Sequence, residues 1–100
     1  MGIPYEVNQQ AATAIAASIT TSASTFMTID KQRSLLSIVS SLNQPVIVNR
    51  NGFYWHYLAA GGSGIWDLGS DNAYLGVGVS FTALAVSATP TSGTLYGMAL

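Results

Sequence analysis

Residues 30–42 read DKQRSLLSIVSSL, and in that stretch Leu35, Ile38, Val39 and Leu42 recur at three- and four-residue intervals opposite Ser34, Ser37, Ser40 and Ser41. Such spacing lines up one apolar face of a helix. Asp30 stands at the start, where a carboxylate favours the helix dipole, and Pro45 follows Asn43 and Gln44 as a stop. The pattern predicts an amphipathic helix over 30–44, and that helix decides the fold class.

Upstream, Val7, Ala11, Ile15, Ile19 and Ala23 are spaced by four in a segment of Ala, Gln, Ser and Thr. This predicts a second, narrower helical stripe within an assembly arm over 1–29. Thr20, Thr21 and Ser22 weaken it, so it needs a partner surface, and an extended arm ordered only in an assembly is the alternative.

Downstream the character changes to strand. Val46, Ile47 and Val48 form a β-branched run, Asn51-Gly52 is a two-residue hairpin signal, and Phe53 to Tyr57 can pair back. Gly61-Gly62-Ser63-Gly64 breaks the pattern before a short strand near Ile65. Leu75, Val77, Val79 and Phe81 then alternate with Tyr74, Gly76, Gly78 and Ser80; the two glycines predict close approach of a backbone or a large aromatic over the bare face. The parity of the apolar residues changes by Leu84, predicting a bulge near Thr82 and Ala83, and the turn at Pro90–Gly93 leads into a last strand. The sum is a single α+β domain: one or two N-terminal helices, then a small antiparallel sheet or sandwich over 45–100.

Only 7% of the 100 residues are charged, with a net charge of −1, against about a quarter in ordinary soluble domains. A surface so poor in charge tends to associate, so a homo-oligomer is expected. Three basic residues cannot neutralise a run of phosphates or anchor to anionic lipid, which argues against nucleic-acid and membrane partners. The apolar-leaning residues 73–88 fall short of the roughly 20 that a spanning helix needs. Met1 to Glu6 lack the basic and apolar regions of a secretory signal. The charges themselves are expected to face water, and subunits to meet over 7–29 and after Asp71.

No residue set points to catalysis, a metal or a cofactor. His56 is the single histidine and cysteine is absent, so a zinc site of the usual kind has no ligands. Asp67 and Asp71, four apart across a turn, suit solvated carboxylates better than a paired acid and base. The glycine run at 61–64 matches neither a phosphate loop nor a nucleophile elbow. On a regular strand Phe53, Trp55 and Tyr57 share one face and Tyr54 and His56 the other. Tyr54 or Trp55 with Trp66 would make a stacking platform for a sugar, weighed against aromatics that simply fill a small core.

The Ala-, Ser- and Thr-rich segment 7–28, the lack of Cys and the uncharged, Gly- and Thr-punctuated strands of 73–100 resemble small accessory structural proteins of tailed-phage virions, such as head decoration, fibre or tail components. The resemblance implies a non-enzymatic subunit that self-associates and docks with other structural proteins of a virion or extracellular assembly; it carries over no functional residue. A carbohydrate-binding module using Tyr54, Trp55 and Trp66, and a small membrane-active protein using 73–100, are the competing readings.

Overall fold

The computed structural model describes residues 9–68 and 74–100, and among them the fold is all-β. Eight strands run β1 (Gln10–Ile15), β2 (Ser24–Thr28), β3 (Leu35–Ser40), β4 (Val46–Arg50), β5 (Phe53–Leu58), β6 (Ser63–Asp67), β7 (Ser80–Ala85) and β8 (Thr94–Ala99), with a single 3-10 turn at Ala16–Ser18. They form two four-stranded antiparallel sheets, sheet A in the order β1-β8-β3-β6 and sheet B in the order β2-β7-β4-β5.

Both expected helices are therefore corrected to strands, and the class from α+β to all-β. The stretch 30–42 holds β3, where Leu36, Ile38 and Ser40 are buried and Leu35, Ser37 and Val39 face outward. The first stripe is ambiguous for a simple reason: a spacing of four is close to 3.6 and is also a multiple of two, so helix and strand both satisfy it. What decides is pairing. β3 is an interior strand hydrogen-bonded to β8 on one side and β6 on the other, and β1 pairs with β8 along its whole length. Asp30 caps no helix; it accepts a 2.6 Å bond from Arg33.

The hairpin is where it was expected. Asn51 and Gly52 both have positive φ, 50° and 84°, joining β4 to β5. The other strand connections pass from one sheet to the other. At one end of the sandwich the β3–β4 and β7–β8 connections are stitched together. Asn43 Oδ1 accepts from Thr91 N (3.0 Å), its Nδ2 donates to Thr91 Oγ1 (2.8 Å), and Ser41 N donates to Thr94 O (2.9 Å).

The core lies between the sheets. Its fully buried members include Phe81, Ile19, Ile29, Leu36, Ile38, Leu42, Val46, Val48, Leu75 and Leu95. Each sheet-B edge strand breaks register once, at Phe26 in β2 and at Trp55 in β5. The first break faces Thr82 and Phe81, so the irregularity expected in β7 sits in its partner instead. At both breaks two consecutive large side chains turn inward; in sheet A, Gly97 makes room for the pair at the β2 break and Gly64 for Trp66 of its own strand. A Cβ on Gly97 would lie 2.7 Å from Phe26 Cε2 and 2.9 Å from Met27 Cε; one on Gly64 would lie 2.7 Å from Trp66 Cζ2. Gly97 and Gly64 flank Ile38 in one cross-strand row. Gly76 and Gly78, expected to host such a contact, border open space at a turn before β7, and Val77 between them is exposed.

Candidate functional site: the two sides and the outer face of the sandwich

The side formed by edge strands β5 and β6 is closed by rings. Val48 pairs with His56 and Asn49 with Tyr54, which leaves Trp55 as the extra residue of a bulge. Trp55 and His56 consequently both point toward β6, while Tyr54 and Tyr57 both lie exposed on the outer face. Trp55 stands 4.6 Å from Trp66, 4.3 Å from His56 and 5.1 Å from Phe81 between ring centroids, and His56 stands 4.6 Å from Trp66. The sugar-platform set is thus divided: Trp55 and Trp66 pack against each other, half-buried, and Tyr54 is on the opposite surface of its sheet. The alternation assigned by sequence fails at this bulge, because register against β4 rather than local sequence defines it.

Burial lowers the pKa of His56 from its ordinary 6.5. The folded state therefore resists protonation there, so this contribution to stability is complete above pH 6.5 and is lost as pH falls through the folded value below it. The melting temperature is expected to drop on acidification below pH 6.5, and His56→Phe, followed by thermal circular dichroism, to flatten that drop. Equal slopes in the two proteins would show that the imidazole takes no part. Asp30 titrates in a separate, lower window. The hydrogen bond from Arg33 holds its carboxyl below 3.8, so stability from that pair is lost only as pH falls through the folded value below 3.8.

Among the described charged residues, Asp30, Lys31 and Asp67 are exposed as expected, Arg50 is half-buried and Arg33 is the exception. Arg33, expected to face water, is only 2% exposed; its guanidinium meets Asp30, and its backbone exchanges two hydrogen bonds with Leu75, 2.9 and 2.8 Å long. Asp67 is exposed on β6, and Asp71 lies outside the described residues. Among the described residues no group of three or more His, Asp or Glu is placed to hold a metal ion, and no helix is long and apolar enough to cross a membrane.

The opposite side, between edge strands β1 and β2, is open. A groove of about 390 Å3 lies there, with Ile15, Phe26, Ile19 and Ala83 supplying apolar walls and Thr13 and Ser24 hydroxyls. No charged residue lines it. At one end the Gln10 side chain bridges the two edges, donating to Thr28 O and accepting from Asp30 N at 3.0 Å. Beyond the other end, Ala85 N donates to Thr20 O at 2.7 Å. Of the expected assembly stripe, Val7 lies outside the described residues, Ala11 and Ile15 face outward on β1, Ile19 is fully buried beside the groove and Ala23 is exposed. The stripe is not one face.

The outer face of sheet A is the surface that sequence reasoning missed. Tyr96 on β8 lies between Thr13 and Val39, and Met98 lies between Ala11 and Ser37, which pairs with Ile65. Leu100 exchanges backbone bonds of 3.1 and 2.9 Å with Leu35. Ile65 is 72% exposed and Val39 47%, with Tyr96 and Leu100 also exposed. Asp67, opposite Leu35, is the charge at its margin. Period-two spacing of Leu35 and Val39, Ile65 and Asp67, and Tyr96 and Met98 is the signal that finds it, once those segments are known to be neighbours. No protein-family model, no curated protein and no solved structure matches the chain.

Proposed function

We propose that this chain is a non-enzymatic structural subunit that self-associates and docks on a larger viral or extracellular particle. The observation that carries the reading is the outer face of sheet A, where Ile65, Val39 and Tyr96 stand exposed on adjacent strands and Leu100 just beyond the end of β8. Contiguous apolar surface of this kind is uncommon on monomers and marks interaction sites. The low charge of the chain supports the reading, since little electrostatic repulsion opposes contact between copies. The class of particle rests on the compositional resemblance to tailed-phage accessory proteins, and the genes next to this one would test that part directly.

Self-association is tested by sedimentation velocity across the micromolar range. The wild type is expected to form oligomers reversibly, and Ile65→Lys to weaken them. Withdrawing one buried Ile from a contact costs about 1.5–3 kcal/mol, or roughly 10- to 100-fold in affinity. Because Ile65 is exposed on an edge strand, the variant should keep its circular dichroism spectrum. A wild type that remains monomeric throughout overturns the reading.

A further inference from the structure

We propose that the free edge of β1 pairs antiparallel with β1 of a second copy across a twofold axis, so that sheet A runs continuously through a dimer. This rests on the self-association reading above and adds an edge contact to the one made by the outer face of sheet A.

A sheet edge exposes main-chain donors and acceptors that another strand can use, and proteins block that pairing with bulges, charges, proline or cover. The sandwich has four edges: β1 and β6 in sheet A, β2 and β5 in sheet B. Three carry such a device. β2 is bulged at Phe26, β5 is bulged at Trp55, and β6 ends on the charged Asp67. β1 has none. Its six residues, Gln10 to Ile15, pair one for one with β8, and they include no charge, proline or glycine.

The sequence of β1 suits a copy of itself. Residues facing one another across an antiparallel pair share a face of the sheet, so a twofold axis must pass near the strand centre, at Ala12 or Thr13. Ala11, Thr13 and Ile15 then meet their counterparts on the outer face, and Gln10, Ala12 and Ala14 meet theirs on the inner. Every opposing pair is free of charge repulsion, and an acidic or basic strand would find no counter-charge there.

Contact area sets the strength of the pairing. The strand is about 20 Å long, so main-chain pairing alone makes a narrow contact. The groove between β1 and β2 opens on this same side, so a second sandwich drawn onto β1 also covers Ile15, Phe26 and the groove mouth. A side roughly 20 Å long and two layers deep, with sheets about 10 Å apart, buries about 200–400 Å2 per copy, below the roughly 1,200 Å2 total of stable specific interfaces and in the range of weak, transient ones. The dimer is accordingly reversible, and its use is to merge two apolar outer faces into one eight-stranded docking surface.

The chain has no cysteine, which permits a clean cross-linking scan. Single variants Ala11→Cys, Ala12→Cys, Thr13→Cys and Ala14→Cys are oxidised at micromolar concentration, with Phe53→Cys, exposed on the edge strand β5 of the other sheet, as a remote control. Directly opposed residues near a twofold come within disulfide reach, about 4.4–6.8 Å between Cα atoms. Disulfide yield should peak at Ala12 or Thr13 and fall toward Ala14 and Ala11. Hydrogen exchange on the unmodified protein gives a second readout: β1 amides should slow at least roughly tenfold as concentration carries the protein from monomer to dimer. A wild type that associates without a cross-linking peak in β1, and without concentration-dependent protection there, overturns the edge pairing and leaves self-association standing. A wild type that stays monomeric overturns both.

Discussion

Gly93→Ala is expected to lower stability by about 3 kcal/mol, through left-handed backbone strain of about 1–2 kcal/mol and overpacking of about 1–3 kcal/mol. For a domain of this length that corresponds to a fall of roughly 10–25 °C in melting temperature. Gly93 has φ +92°, and a Cβ there would run into the carbonyl of Ser41 and approach Leu42 Cα to 2.8 Å. Those neighbours are main chain, so no side-chain rotation relieves the contact. Nor can the turn swing away, because Asn43 holds Thr91 and Ser41 N holds Thr94 O. Gly78 provides the control: its φ is +89° but it borders open space, so Gly78→Ala should cost only the backbone strain. Thermal unfolding of the two variants separates strain from collision, and equal losses would show that the turn at 90–93 is not pinned.

Phe81→Ala should be costlier still, about 3–5 kcal/mol, the range for deleting a buried ring and leaving a cavity. Phe81 is fully buried on β7, an interior strand, opposite Met27 of β2 and Arg50 of β4. Its ring also stands 5.1 Å from Trp55, whose own neighbours are Trp66 and His56. Removing Phe81 therefore loosens the row of rings that closes the β5–β6 side. Urea unfolding followed by tryptophan fluorescence should show a lower midpoint and a red-shifted native spectrum. A loss near 1 kcal/mol with an unchanged native spectrum would mean that the neighbouring rings collapse into the space.

The β half of the chain was legible because its signals are local. Asn51-Gly52 supplies the positive φ pair of a tight hairpin whatever surrounds it, and the turn before β8 announces itself by Pro90 and Gly93. The first half was not, because Ala11, Ile15, Ile19 and Ala23 fit both periods and the serines of 30–42 are compatible with either. The site was legible only in part. Trp55 and Trp66 do meet, but as packing partners, and Tyr54 is turned away from them by a bulge that exists only in the register of β5 against β4. Strand identity, not residue type, hides the outer face of sheet A: the spacing around Val39 also fits a helix, and its adjacency to Tyr96 exists only once β3 pairs with β8.

The sequence by itself determined the shortage of charge, the lack of cysteine, the hairpin at Asn51-Gly52 and the small-residue vocabulary from which the glycine seats at Gly64 and Gly97 are drawn. These follow from composition and from backbone preferences that act within a few residues. Tertiary structure alone decided that 10–15 and 35–40 are strands, that Arg33 is buried, that Trp55 and His56 face inward together and that β1 is an edge strand with no bulge among the described residues. Each of these depends on contacts with segments distant in sequence, and a backbone N–H can donate to a helix or a sheet carbonyl until a partner strand arrives to decide between them.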